Sequence, residues 1–209
     1  MSVLRETCER LVAAARPRYK DFRVDFEKIS TAASKAAREG REGLKHADAS
    51  AFYFDVDWNL RLPLQRRYAE AGAFEPIAHY HAKCFKTLFG GQDPWPDAPA
   101  EAALTLFAEH DRADIGVNLV RECIDVQLKR LRTDLQKRNP RGPRKDLSDE
   151  VKQAIHSIDK AIANAIPDRK ADLLRDLDSV EPYLALHATD DDRAWLEAVR
   201  REIWMEKRA

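Results

Sequence analysis

An all-α fold is predicted by three features of this amino-acid sequence: apolar residues recur every three to four positions along most of the chain, glycine is scarce, and charged residues are abundant. Gly occurs only 7 times in 209 residues, whereas Asp, Glu, Lys and Arg make up 34%, a balance that suits charged helices around a modest core. About eight helices are expected, joined as consecutive hairpins into an irregular array or bundle, with at most a short extended segment near residues 51–58.

The first helix is expected from Val3 to Ala15, with Ser2 as N-cap, Leu4, Cys8, Leu11, Val12 and Ala15 on one face, and Pro17 as its stop. A second, from Tyr19 to Glu39, carries Phe22, Phe26, Ile29 and Ala33 at helical spacing and ends at Gly40. The apolar rhythm then lapses. In residues 51–58, Phe52, Phe54, Val56 and Trp58 alternate as they would along one face of an extended chain.

Two hairpins follow. The first pairs a helix over Leu62–Ala71, with Pro63 in its first turn and Gly72 as its stop, with one from Pro76 to Phe89 that ends at Gly90-Gly91. After the connector 92–99, the second pairs Ala100–Glu109 with Ile115–Arg138. The stretch Asn139-Pro-Arg-Gly-Pro-Arg-Lys145 cannot continue a helix, so a boundary is expected there, between an N-terminal helical domain (1–139) and a C-terminal three-helix subdomain (146–209) packed on it, the alternative being one continuous domain. In the latter, Ser148 caps a helix lined by Val151, Ile155, Ile158 and Ile162 that stops at Pro167. A short helix through Leu173, Leu174 and Leu177 and a last one opened by Thr189-Asp-Asp-Asp192 complete the chain.

The string Tyr68-x-x-x-Gly72-x-Phe74, followed by Ala78 and Tyr80, resembles the middle of a tetratricopeptide repeat, which implies two antiparallel helices in close approach over residues 62–89. No further copy follows at that family's spacing of roughly 34 residues, so the expectation remains an irregular array.

Three widely separated cysteines, Cys8, Cys84 and Cys123, have neither the density of a disulfide framework nor the paired spacing of a zinc site, which fits a reducing cytoplasm. No segment reaches the roughly 18 apolar residues of a membrane span, and the start lacks the apolar run of a signal peptide, so a soluble protein without a membrane partner is expected. Formal net charge is zero, but it runs +4, −4, +5 and −5 over residues 1–46, 47–109, 110–145 and 146–209. Alternating blocks suit packing of one block on another, or on a partner.

Three sets of residues could carry chemistry. Asp55 and Asp57 would share one side of an extended chain, as carboxylates that hold a divalent cation do; His79 and His81 add metal-capable nitrogens, although two helical residues two apart point away from each other. Lys129, Arg130, Arg132, Arg141, Arg144 and Lys145 belong to a basic stretch with a single acid, Asp134, which could neutralise phosphates of nucleic acid. Trp58, Trp95 and Trp204 are candidate anchors for a protein partner. No HExxH, CxxC, GxSxG or phosphate-binding glycine loop occurs, and no cofactor is implied. The expected function is a noncatalytic helical module that binds another protein or a copy of itself. The alternatives are a nucleic-acid-binding regulator using residues 129–145 and a helical enzyme using Asp55 and Asp57 with His79 or His81.

Overall fold

The computed structural model describes residues 3–39, 46–87, 95–138 and 148–205. Among them lie eight helices and no strand: α1 (Val3–Ala14), α2 (Phe22–Glu39), α3 (His46–Glu70), α4 (Phe74–Thr87), α5 (Ala98–Glu109), α6 (Ala113–Arg138), α7 (Asp149–His187) and α8 (Asp190–Met205). No helix among the described residues is long and apolar enough to cross a membrane. Ser2, Gly40, Gly90-Gly91 and the stretch 139–145 lie outside the described residues.

The chain forms two compact units: residues 1–84 with 96–119, and residues 85–95 with 120–209. In the first unit α3 is the central helix, packed on α1, α2 and α5. Leu60, Leu64 and Tyr68, at four-residue spacing on α3, are fully buried, and Phe22, Ile77 and Phe107 meet the same core. Tyr68 and Tyr80 complete an aromatic cluster with Phe22, whose ring centroid lies 5.1 Å from Tyr68 and 4.9 Å from Tyr80. In the second unit, Ile124, Leu128 and Leu131 of α6 and Leu173, Leu177, Val180 and Leu184 of α7 are buried, together with Leu196, Val199 and Ile203 of α8.

Both hairpin turns close in the same way. After α3, the N–H of Ala73 donates to the carbonyl of Tyr68 and that of Gly72 to Ala69, with Gly72 at φ +71°. After α5, Arg112 donates to Phe107 and Asp111 to Ala108, with Asp111 at φ +57°. This pair of bonds satisfies carbonyls that a helix end leaves open, and it needs one left-handed residue. Gly adopts that conformation freely; Asp is among the few side chains that tolerate it.

Several expectations from sequence are corrected. Residues 51–58 are helical, not extended, and α3 runs through Pro63, which therefore sits in its interior. Pro63 removes one intrahelical bond, but the burial of Leu60, Leu64 and Tyr68 on its two sides holds the helix together. Helix α2 begins at Phe22: Tyr19 is left-handed at φ +56°, and Asp21 caps the helix by accepting from the N–H of Val24 at 3.2 Å. Pro167 does not stop α7, which continues through both Pro167 and Pro182 for 39 residues, so one helix stands where two were expected. Its second half is held by the buried row from Leu173 to Leu184, which outweighs the bonds the prolines remove.

Candidate functional site

On α3, Asp57, Arg61 and Gln65 stand four residues apart and so form one polar row. Arg61 is ion-paired with Asp57, and its guanidinium lies over the rings of Phe26 and Tyr80, 5.4 and 5.5 Å from their centroids. Further along, the Gln65 amide nitrogen is 2.7 Å from Nε2 of His81 on α4 and 3.3 Å from the carbonyl of Pro99. An amide N–H can only donate, so His81 accepts at Nε2 and carries its proton at Nδ1. Burial, reinforced by the positive charge of Arg61, pushes the His81 pKa down to about 3, and the ring is neutral at pH 7. Burial likewise raises the Asp57 carboxyl, against the lowering pull of Arg61. Among the described residues Arg61 Nε and the Gln65 carbonyl oxygen are buried without a hydrogen-bond partner.

Other buried polar groups in the first unit are also engaged internally. The Asp25 carboxylate accepts from the Tyr68 hydroxyl and from the N–H of Arg18. Arg67 donates to the carbonyls of Val12 and Ala13 at the end of α1, and to the Tyr19 hydroxyl at 3.2 Å, placing a cation at the negative end of that helix. In the second unit Asp176, 2% exposed, accepts from the Trp95 N–H at 3.3 Å and the Gln127 amide at 2.5 Å. Ser179 bridges the carbonyls of Trp95 and Asp176, so this network fixes the chain at Trp95 against α7.

The metal-capable residues do not converge. Positions 55 and 57 lie on a helix, about 200° apart, which removes the shared side that an extended chain would have given them. Asp57 is committed to Arg61, and His81 to Gln65. His79 is exposed on a surface hollow of about 390 Å³ lined also by Lys20, Asp21, Arg23, Glu75 and Lys83. No group of three metal-capable side chains occurs among the described residues. Burial raises the thiol pKa of Cys8 and Cys84 and keeps both protonated at pH 7, without the thiolate that nucleophilic chemistry requires.

The basic set divides. Lys129 and Arg130 line a groove of about 840 Å³ with Lys86, Thr133, Arg169, Glu122, Asp125 and Asp134. Of these, Arg169 is paired with Asp134. Arg132 faces elsewhere, in a two-bond pair with Glu202, 2.6 Å for each bond. Arg141, Arg144 and Lys145 lie outside the described residues. Of the tryptophans, Trp95 is 3% exposed and packs edge-on to Phe85, Trp58 is half-buried, and Trp204 is 52% exposed on α8. The indole of Trp195, by contrast, donates to Asp125 at 3.2 Å and lies under the Arg121 guanidinium.

One surface escaped the sequence reading. From residue 149 to 165, more than four turns of α7, no described side chain is buried; Ile166 is the first that is. This stretch carries the stripe of Val151, Ile155, Ile158 and Ile162, which the periodicity assigns to a core, yet Val151 is 44% and Ile158 58% exposed. Ser148 caps its start by accepting from the Val151 N–H. The packed half of α7 supplies the nucleus, and Ala154, Ala161, Ala163 and Ala165 favour extension outward from it over about 25 Å. Periodicity reports that a face is apolar. It does not report what covers that face.

Comparison of the chain with protein-family models, with curated proteins and with solved structures gave no match.

Proposed function

We propose that this protein is a noncatalytic helical interaction module whose contact surface is the apolar stripe on the first half of α7. The observation that carries this reading is the exposure of Val151 and Ile158, with Ile155 half-buried, on a capped stretch of helix in which no described side chain is buried. Large apolar side chains aligned on one helix face are the pattern by which a helix is gripped in a groove or by another helix. A second observation agrees: the groups suited to acid, base or metal chemistry, Asp57, His81 and Asp176, are tied to internal partners.

The test places a photo-reactive residue at the exposed Ala161, beside the stripe, in the cells from which the protein comes. The expected result is one discrete covalent adduct that disappears in an Ile158→Lys background while the melting temperature stays unchanged. No adduct, or one indifferent to Ile158→Lys, refutes the reading.

A second reading, binding of a nucleic-acid backbone, is favoured by Lys86, Lys129 and Arg130, three cations in one groove with no ion partner among the described residues. Acidic Glu122 and Asp125 on the same groove oppose it. Titration with DNA and RNA at two salt concentrations tests it: affinity should fall steeply with salt and in Lys129→Ala/Arg130→Ala, and indifference to both excludes it.

A further inference from the structure

We infer that the occupant of the α7 stripe is a second copy of this chain, bound antiparallel about a twofold axis that crosses the helix between residues 156 and 157. This rests on the stripe being a contact surface, as argued above, and adds who makes the contact.

The spacing of the stripe reads the same in both directions: Val151, Ile155, Ile158 and Ile162 are separated by four, three and four residues. A twofold contact requires such a surface, because each residue i that meets j must also have its own j meet the other copy's i. Antiparallel pairing about that axis sets Val151 at the level of position 162 of the second copy, and Ile155 at the level of its Ile158. Ile155 of each copy then meets Ile158 of the other across the axis. Ala154 and Ala161 lie beside the seam and are small enough to let two helices approach.

Charge points to the same arrangement. On the helical wheel Lys152 and Asp159 flank the same edge of the stripe, seven residues apart. The twofold axis brings Lys152 of one copy to within about 3 Å, along the helix axis, of Asp159 of the other, and does so twice. In the single chain Lys152 is 46% exposed and pairs with Asp149, itself 91% exposed, a contact weak enough to exchange. A parallel pair instead puts the edge that carries Lys152 and Asp159 on opposite sides of the seam in the two copies, so neither charge meets its counterpart. Four to five turns of paired helix bury less than the roughly 1,200 Å² of a stable interface, so the dimer forms reversibly and in the micromolar range.

Sedimentation of the full chain over about two decades of micromolar concentration tests the inference. Expected is a monomer–dimer equilibrium that Ile158→Lys weakens about a hundredfold, since two isoleucines lose their burial. Lys152→Glu should weaken it about tenfold by setting acid against acid, and Lys152→Glu/Asp159→Lys should restore it. Lys152 and Ile158 are exposed and Asp159 is half-buried on a stretch with no buried described side chain, so circular dichroism should show the fold unchanged. A monomer at every concentration, a dimer unaffected by Ile158→Lys, or failure of the charge exchange to restore association overturns the inference. Should the Ala161 adduct form with a different protein while the purified chain stays monomeric, the contact surface stands and its self-pairing does not.

Discussion

Acidification offers the sharpest test of the buried polar row, because His81 must be neutral there. Its pKa is about 3 in the folded chain against an ordinary value of 6.5, so between these values the unfolded chain binds a proton that the folded chain refuses. A lowered histidine pKa makes stability fall as pH falls below 6.5, and the loss stops growing near 3. Between pH 7 and pH 5 this amounts to about 2 kcal/mol, at 1.36 kcal/mol per pH unit over the part of that range where the unfolded imidazole is charged. Asp57 and Asp176, both raised by burial, act in the opposite sense as they take up protons. They are present in wild type and variant alike, so the difference isolates the histidine. Urea melts followed by circular dichroism should show His81→Leu less stable at pH 7 by about 1–3 kcal/mol, from the donor left unpaired on Gln65. The gap should shrink by about 2 kcal/mol at pH 5. Parallel curves for the two proteins would refute a buried, neutral His81.

Asp111→Gly should stabilise the protein by about 0.5–1 kcal/mol in thermal melts, because Asp111 holds φ +57° where glycine is at ease. Gly72→Ala should cost about 1 kcal/mol purely through φ +71°, since a Cβ there meets nothing within 4 Å. Tyr68→Phe removes a donor from the buried Asp25 carboxylate and should destabilise by about 1–3 kcal/mol, read from the urea midpoint. Thr189 and Asp192 bond reciprocally at the start of α8, Thr189 N–H to the carboxylate at 3.0 Å and Asp192 N–H to the hydroxyl at 3.3 Å. The Thr189 hydroxyl, which donates to the Asp192 carboxylate at 2.6 Å, together with the Thr189 N–H and Arg121 holds the Asp192 pKa below the usual carboxylate value, so its contribution is present above about pH 4 and is lost as pH falls through the lowered pKa; Thr189→Ala should cost about 1 kcal/mol at pH 7 and less in acid.

The all-α class was legible because burial on one face of a helix leaves a periodic record: Phe22, Phe26, Ile29 and Ala33 are all in the core, as their spacing requires. So were the caps Ser148 and the acidic start of α8, since capping is a local interaction between residues three apart. Pro63 and Pro167 misled because a proline costs a helix one bond, and packing of Leu64 or Leu173 onto distant residues can outweigh it. The alternation at 51–58 misled likewise, as residues 46–70 form one continuous helix anchored by Leu60 and Leu64. Gln65 gave no signal in sequence, because its partners His81 and Pro99 lie 16 and 34 residues away. The α7 stripe gave a signal of the wrong kind: four aliphatic residues at helical spacing look alike whether the chain covers them or leaves them for another.

Amide hydrogen exchange along α7 tests that distinction most directly. In dilute protein residues 149–165 should exchange near the rate of a frayed helix end, while residues 173–184 stay protected by the core; raising the concentration should slow exchange in 149–165 alone. Equal protection of both halves in the dilute protein would mean the stripe is already covered, and would contradict the account.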